Sequence, residues 1–222
     1  QFLETAAPQP SGVIAVPRRS AGLLRGRACL LSKKGAKGGI VVNLPELRLY
    51  YFPPGQPDRV ITHPISIGRM DWQTPLGETR IVSKVKNPVW YPPESVRAEH
   101  AADGDPLPRV VPPGPDNPLG GYALRLGIPG YLIHGTNKPY GVGMRVSHGC
   151  VRMYPEDIVS MFSQVADNTP VRIINQPVKT GWLDGRLYLE VHPPLEENLG
   201  MARSLDRIAF DRVQAAIGSR AV

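Results

Sequence analysis

The segment YLIHGTNKPYGVGMRVSHGCVRM, residues 131–153, places two histidines near one of the two cysteines of the chain. Cys150 directly follows a Ser-His-Gly tripeptide, and His134 lies sixteen positions upstream of it. A free cysteine has a pKa of about 8.5, so little thiolate forms at neutral pH unless a base, a cation or a helix N-terminus lies nearby. A thiol close to imidazoles could therefore indicate nucleophilic catalysis, metal binding or coincidence.

The residues around Cys150 are of the types that nucleophilic catalysis needs. Either His134 or His148 could take the thiol proton. The backbone N–H groups of Gly149 and Cys150, in a glycine-assisted turn that we predict to precede a helix, could stabilise an oxyanion. Arg152 could bind a substrate carboxylate through two parallel hydrogen bonds.

Two other interpretations of the same residues remain open at this point. An isolated buried cysteine is usually an inert small hydrophobic residue. Cys150 with His134 and His148 could also bind zinc, but no Cys-x-x-Cys pair and no fourth ligand accompany them, so we predict no metal. A lasting disulfide with Cys29 would be incompatible with a reactive Cys150.

Composition and charge limit the remaining classes of function. The chain has 222 residues, 41% hydrophobic and 20% charged, with a net charge of +7. No apolar stretch approaches the roughly 20 residues of a transmembrane helix, and the start shows no signal-peptide pattern, so we expect any secretion signal to be missing from this sequence. The basic residues are dispersed and no nucleic-acid-binding motif accompanies them, which favours a solvated basic surface over a nucleic-acid partner.

Three regions differ in composition, which predicts their boundaries. Residues 1–37 are rich in Pro, Gly, Ser, Ala and Arg, typical of a linker, with GVIAVP and CLLS as possible short strands. Residues 38–176 alternate apolar and polar side chains and predict a mainly β domain. Residues 177–222 add strand GRLYLEVHPP and a helix over 195–218.

Two features inside the β-rich region concern Cys150 directly. Residues 155–166, PEDIVSMFSQVA, predict one short internal helix, because Pro155 suits a first turn and apolar side chains share one face. Residues 103–121 hold many Pro and Gly residues and predict a long loop, which in compact domains often forms a lid or a binding wall.

The blocks IHGTNKP and SHGCVRM at this separation, with the upstream block GRMDWQTPLGE, closely resemble the YkuD-type L,D-transpeptidase catalytic domain of bacterial cell-wall enzymes. The resemblance covers roughly residues 38–176 and implies a sandwich-like or barrel-like β fold. Residues 177–222 are similar to the C-terminal subdomain of the branch that attaches lipoproteins or links diaminopimelate residues. That branch often carries an upstream wall-binding module, of which residues 1–37 could be a remnant.

The resemblance implies a role for each residue of the motif. Cys150 would be the nucleophile, His134 the base, and the Gly135 carbonyl the group that orients the imidazole. The oxyanion site would involve His148, Gly149 and Cys150. Ser147 and Arg152 would support the loop or the substrate, and Tyr131, whose role the motif does not fix, would help to shape the cleft.

The resemblance also implies a reaction and its partners. The Cys150 thiolate would attack a peptidoglycan tetrapeptide stem at its third residue, commonly meso-diaminopimelate, and release D-alanine. An amine of a second stem, or of a lysine of an outer-membrane lipoprotein, would then accept the acyl group, without metal or cofactor. The family also implies acylation by carbapenems and a location in the periplasm or cell envelope. The alternatives are a cysteine peptidase or L,D-carboxypeptidase, and a non-catalytic wall-binding protein.

Overall fold

A computed structural model of the chain describes residues 12–15, 38–57, 59–183, 185–198, 200 and 203–218. The strands of this part are β1 (Gly12–Ala15), β2 (Gly39–Asn43), β3 (Arg48–Phe52), β4 (Arg59–Pro64), β5 (Ile67–Gly68), β6 (Gly77–Lys86), β7 (Tyr122–Leu126), β8 (Leu132–His134), β9 (Arg145–Ser147), β10 (Val151–Arg152), β11 (Pro170–Ile174), β12 (Val178–Leu183) and β13 (Arg186–Val191). The α-helices are α1 (Glu94–Ala102), α2 (Pro155–Gln164) and α3 (Leu205–Gly218). The mainly β fold predicted from the sequence is confirmed.

The chain divides into two compact units, residues 1–63, 76–78 and 170–222, and residues 64–75 and 79–169. In the first unit, strands pair in the order β1, β4, β3, β2, β11, and β2 pairs with β11 in parallel. Strand β2 is buried along its whole length, as expected for a central strand with a nearly continuous apolar sequence. The predicted strand in GVIAVP is present as β1, whereas CLLS lies outside the described residues.

The C-terminal part of the first unit is a hairpin with a helix. Strands β12 and β13 pair antiparallel, and the indole N–H of Trp182 donates to the carbonyl of Ala216 on α3 at 3.2 Å. We predicted β13 but not β12, whose sequence VKTGWL contains a glycine and a lysine that weaken the strand pattern. The predicted helix is shorter than expected, because Glu196–Asn198 form a separate 3-10 turn before α3.

The second unit holds the segment of interest. Its strands pair in the order β6 (from residue 79), β7, β8, β10, with β8 and β10 parallel, and β5 pairs separately with β9. Helix α2 begins at Pro155 as predicted, with Ile158 and Met161 buried.

Helix α1 is a second internal helix, where the sequence predicted only one. Its sequence ESVRAEHAA buries only Val96, so the apolar periodicity that indicates a helix is almost absent. The alanines and glutamates favour a helix and Pro93 precedes its start, which explains why it forms. Every helix in the described ranges is too short or too polar to span a bilayer.

Candidate active site

The parallel pairing of β8 with β10 brings the two ends of the motif together. In this register Arg152 lies opposite His134, and Val151 lies opposite Ile133. Because side chains alternate along a strand, His134, Arg152 and Cys150 project to one face, while Ile133 and Val151 are buried on the other. His134 and Cys150, sixteen residues apart in sequence, thus lie at neighbouring strands.

The face that carries Cys150 opens into a cavity of about 440 Å³. That volume is in the range of sites that hold a small molecule or a short peptide. Its wall includes aliphatic side chains from β6, the start of α1 and β7, aromatic side chains from loops (Trp90, Tyr91 and Tyr131), and two arginines, Arg125 and Arg152. The sequence-predicted residues in the lining are Tyr131, His134, Ser147, His148, Cys150 and Arg152.

His134 is a buried, neutral imidazole at the end of β8. Burial, with a smaller contribution from the charge of Arg152, lowers the pKa of His134 to about 3, although hydrogen bonds to the backbone of Gly135 and Leu119 oppose this shift. Nδ1 lies 2.6 Å from the carbonyl oxygen of Gly135. A carbonyl only accepts, so Nδ1 carries the hydrogen and Nε2 is the nitrogen that can take a proton.

Cys150 is a half-buried free thiol whose Sγ lies 3.7 Å from the carbonyl oxygen of Gly130. Burial raises the pKa of Cys150, while a hydrogen bond with the backbone of Leu132 and the charge of Arg152 act in the opposite direction. The sequence predicted Cys150 immediately before a helix, but strand β10 separates it from α2. A helix N-terminus therefore does not lower this pKa, and the resting pair is a thiol beside a neutral imidazole.

The turn that presents Cys150 is fixed by hydrogen bonds and by a glycine. The hydroxyl of Ser147 donates to the carbonyl of Cys150 at 2.5 Å and accepts from the N–H of Gly149 at 3.2 Å. Gly149 has φ +100°, and a Cβ there would lie 2.8 Å from the ring of Tyr131. The oxyanion role of the Gly149 N–H stays a prediction, because this group donates to Ser147 in the structure.

A second segment, in the GRMDWQTPLGE block, supports that turn. The hydroxyl of Thr74 donates to the carbonyl of Gly149 at 2.8 Å and accepts from the N–H of Gly68 at 2.9 Å. A Cβ on Gly68 would lie 1.9 Å from the carbonyl oxygen of Trp72, so only glycine fits. We quoted this block for its resemblance but did not assign Thr74 a role.

Arg152 is a half-buried guanidinium in the cavity wall. Among the described residues no carboxylate pairs with it, and its buried Nε has no hydrogen-bond partner. Burial lowers the pKa of Arg152, although the neighbouring Cys150 and Tyr140 favour its charged form. The group can therefore receive an anionic part of a substrate.

The predicted loop, residues 103–121, is present and forms part of the wall. Asn117, fully buried, donates to the carbonyls of Pro88 at 2.8 Å and Pro112 at 3.1 Å and accepts from the N–H of Leu119 at 2.9 Å. Pro118 and Leu119 line the cavity next to this anchor. Sequence reasoning missed Asn117, since a single asparagine among prolines and glycines gives no signal.

Sequence reasoning also missed the partners of His148. Its Nε2 lies 3.0 Å from Oε2 of Glu99 on α1 and 3.4 Å from Nη2 of Arg69, and Glu99 pairs with Arg69. The Arg69 hydrogen bond lowers the pKa of Glu99, whereas burial lowers the pKa of His148. The ring of Trp72 packs edge-on against the imidazole with centroids 5.2 Å apart.

The mainly β fold places a free thiol, Cys150, and a buried imidazole, His134, in the wall of one cavity. The family described as "YkuD: L,D-transpeptidase catalytic domain" matches residues 37–173. This match covers more than half of the chain, so the chain belongs to the YkuD family of L,D-transpeptidase catalytic domains. The resemblance drawn from the motifs is confirmed.

Relatives and a solved structure agree with this membership. The chain is 44% identical to "Probable L,D-transpeptidase YcfS" of Escherichia coli over 86% of this chain and 58% of the relative. It is 44% identical to "Probable L,D-transpeptidase YbiS" of the same species over 87% of this chain and 60% of the relative. The chain thus spans less than two thirds of the length of these relatives. An L,D-transpeptidase from Mycobacterium smegmatis shares the fold, with a TM-score of 0.50 and 20% identity over 63% of this chain and 59% of that chain.

Proposed function

We propose that the chain is a cysteine-dependent L,D-transpeptidase of peptidoglycan, with Cys150 as nucleophile and His134 as base. The observation that carries the proposal is that His134 and Cys150 both line one cavity, and the β8–β10 register, which pairs His134 with Arg152, supports it. Family membership and names of relatives support the reaction class.

In the first half-reaction, His134 Nε2 takes the proton of the Cys150 thiol as sulfur attacks a carbonyl of the stem peptide. Following the family, that carbonyl belongs to the third residue, commonly meso-diaminopimelate. The tetrahedral intermediate collapses, the C–N bond to D-alanine breaks, and the imidazolium returns its proton to the departing amine. A thioester on Cys150 and neutral His134 remain.

The neutral resting pair suits this sequence of steps. With a pKa of about 3, His134 is unprotonated at neutral pH and available as a base. The raised pKa of Cys150 means that the thiolate forms only with the attack, so the thiol is protected from side reactions between turnovers. The Gly135 carbonyl keeps the correct nitrogen facing outward.

In the second half-reaction an amine attacks the thioester carbonyl and His134 takes a proton from the amine; the C–S bond then breaks, and the imidazolium returns that proton to the departing thiolate. The acceptor is the side-chain amine of a second stem or of a lipoprotein lysine, and water as acceptor gives the L,D-carboxypeptidase outcome. Both half-reactions pass through the same acyl-enzyme, so the kinetics are ping-pong.

Three further parts of the proposal rest on the family. Arg152, which has no carboxylate partner in the described chain, binds a carboxylate of the stem. Carbapenems acylate Cys150 through the same thiol chemistry. The protein acts in the periplasm or cell envelope, where its net charge of +7 suits an anionic polymer.

The test is incubation with a tetrapeptide stem and an amine acceptor, followed by mass spectrometry of the products, with Cys150→Ala as the matched inactive variant. A cross-linked product that requires Cys150 is expected. Hydrolysis of the stem without cross-linking would favour the carboxypeptidase alternative. No turnover and no covalent intermediate would favour a non-catalytic wall-binding protein.

A further inference from the structure

Glu99, Arg69 and His148 form a cluster beside Cys150 that the proposed mechanism does not use. They come from three segments: helix α1, the turn after β5, and the loop before β10. Glu99 lies within hydrogen-bond distance of His148, 3.0 Å between Oε2 and Nε2, and pairs through its other oxygen with Arg69. The carboxylate of Glu99 thus contacts both the imidazole of His148 and the guanidinium of Arg69.

The contacts of His148 select one tautomer of its ring. A carboxylate accepts hydrogen bonds and a guanidinium donates them, so Nε2 cannot satisfy both Glu99 and Arg69 at once. The Glu99 contact, at 3.0 Å, is shorter than the Arg69 contact at 3.4 Å, which is at the limit of a hydrogen bond. The geometry therefore corresponds to an imidazole with a hydrogen on Nε2 directed at Glu99, and burial, which lowers the pKa of His148, favours the neutral ring.

His148 is also tied to the nucleophile through the chain. The next residue, Gly149, is enclosed by the Tyr131 ring and by backbone carbonyls of Gln73 and Trp72, and these neighbours leave it little room to move. A rotation of the His148 backbone would move Gly149 and then Cys150. Immobilising the imidazole thus restricts the segment that presents the thiol.

We propose that Glu99 is a positioning residue, which holds His148 as its Nε2–H tautomer and thereby fixes the segment Ser147–Cys150 for attack. The inference rests on the proposed function, because it concerns the nucleophile of that reaction. It assigns helix α1 a task in the active site: the helix builds the cavity wall through Val96 and anchors the nucleophile loop through Glu99.

The ion pair on its own would not explain a large effect on activity. The side chains of Arg69 and Glu99 are 37% and 31% exposed, and surface pairs of this kind contribute little to folding stability. A merely structural Glu99 would therefore leave the acylation rate of the folded protein unchanged. A positioning Glu99 would change this rate while the thermal midpoint stays nearly constant.

The experiment compares wild type, Glu99→Gln and the control Glu94→Gln, a substitution of an exposed glutamate in the first turn of the same helix. The acylation rate constant with a carbapenem is measured by stopped-flow absorbance, and the His148 ring nitrogens are followed by NMR. For Glu99→Gln we expect acylation about tenfold slower, the cost of one charge-assisted hydrogen bond, and loss of the single Nε2–H signature. Glu94→Gln should match wild type in both.

The outcomes separate this inference from the proposed function. If Glu99→Gln acylates as fast as the wild type, the inference is wrong, and the proposed transpeptidase function is unaffected. A His148 ring with its hydrogen on Nδ1 in the wild type would overturn it as well. Failure of the wild type to form any adduct would contradict the proposed function itself.

Discussion

Two regions of the chain bury ionisable side chains, and the surroundings of these side chains are opposite in kind. In the first unit, Glu46 has a fully buried side chain and pairs with Lys179, while Asn43 donates to it at 2.8 Å and Tyr50 at 3.2 Å. In the second unit, His134 is buried next to the guanidinium of Arg152, which lowers its pKa further.

The difference shows which burial serves stability and which serves chemistry. The Glu46 cluster pairs its side chains with opposite charges and hydrogen bonds, as a static network requires. The His134 site suppresses charge, holding a thiol and an imidazole neutral until a substrate arrives. Strong pKa perturbation by burial in a cavity wall is typical of a functional site.

The largest expected effect concerns the site of His134. Replacing His134 by alanine should slow acylation by about 10² to 10⁴, the usual contribution of a positioned general base. The measurement is the single-turnover rate with a carbapenem or stem peptide, together with circular dichroism to verify folding. An unchanged rate would transfer the role of base to His148.

The next largest effect concerns the Glu46 cluster. Glu46→Gln should lower the free energy of unfolding by about 3 kcal/mol, because the buried ammonium of Lys179 loses the charge of Glu46, although Glu190 stays at 3.2 Å. Chemical denaturation measures this loss. The double variant Glu46→Gln/Lys179→Met should recover much of it, and a single variant as stable as wild type would show that the network does not stabilise the fold.

The pH dependence of stability sharpens the comparison. The pKa of His134 falls from 6.5 to about 3 on folding, so between these values the unfolded chain binds a proton that the folded chain does not. The contribution of the neutral, buried His134 to the free energy of unfolding is fully present above pH 6.5. It is lost as the pH falls towards 3, by at most about 1.4 kcal/mol per pH unit. His134→Gln should lack this part of the slope. Identical slopes for variant and wild type would mean that His134 is not buried as a neutral group.

The smallest effect concerns a charge that stabilises the scaffold of the reactive unit. The ammonium of Lys84 donates to the carbonyls of Phe162 at 2.7 Å and Val165 at 2.8 Å, at the C-terminal end of α2. Lys84→Met should cost about 1 kcal/mol of unfolding free energy without changing acylation. Lys86→Met, which removes only a cation 5.9 Å from the Tyr122 ring, is the control and should cost less.

The sequence predicted the parts of this protein whose signals are local. The pattern of residues 38–176 predicted a mainly β domain, the segment GRLYLEVHPP predicted β13, and Pro155 with its apolar face predicted α2. The resemblance of the blocks IHGTNKP and SHGCVRM to the YkuD family, rather than the spacing itself, implied a shared site for His134 and Cys150, and both line one cavity. Helix α1 and strand β12 were not predicted, since α1 buries only Val96 and a glycine and a lysine weaken the strand pattern of β12.

The same limit applies inside the candidate site. Glu99 belongs to an almost featureless polar helix, so its contact with His148 depends on a fold that no short pattern encodes. The sequence also did not predict the direction of the Cys150 pKa shift. This direction depends on burial in the cavity wall and on the strand that lies where a helix N-terminus was expected.

Intact-mass measurement with peptide mapping after carbapenem exposure tests the central claim most directly. We predict one covalent adduct on wild type, mapped to the peptide that contains Cys150, and none on Cys150→Ala, whose small side chain should preserve the fold. An unmodified wild type, or an adduct that persists in Cys150→Ala, would contradict the assignment of Cys150 as the nucleophile.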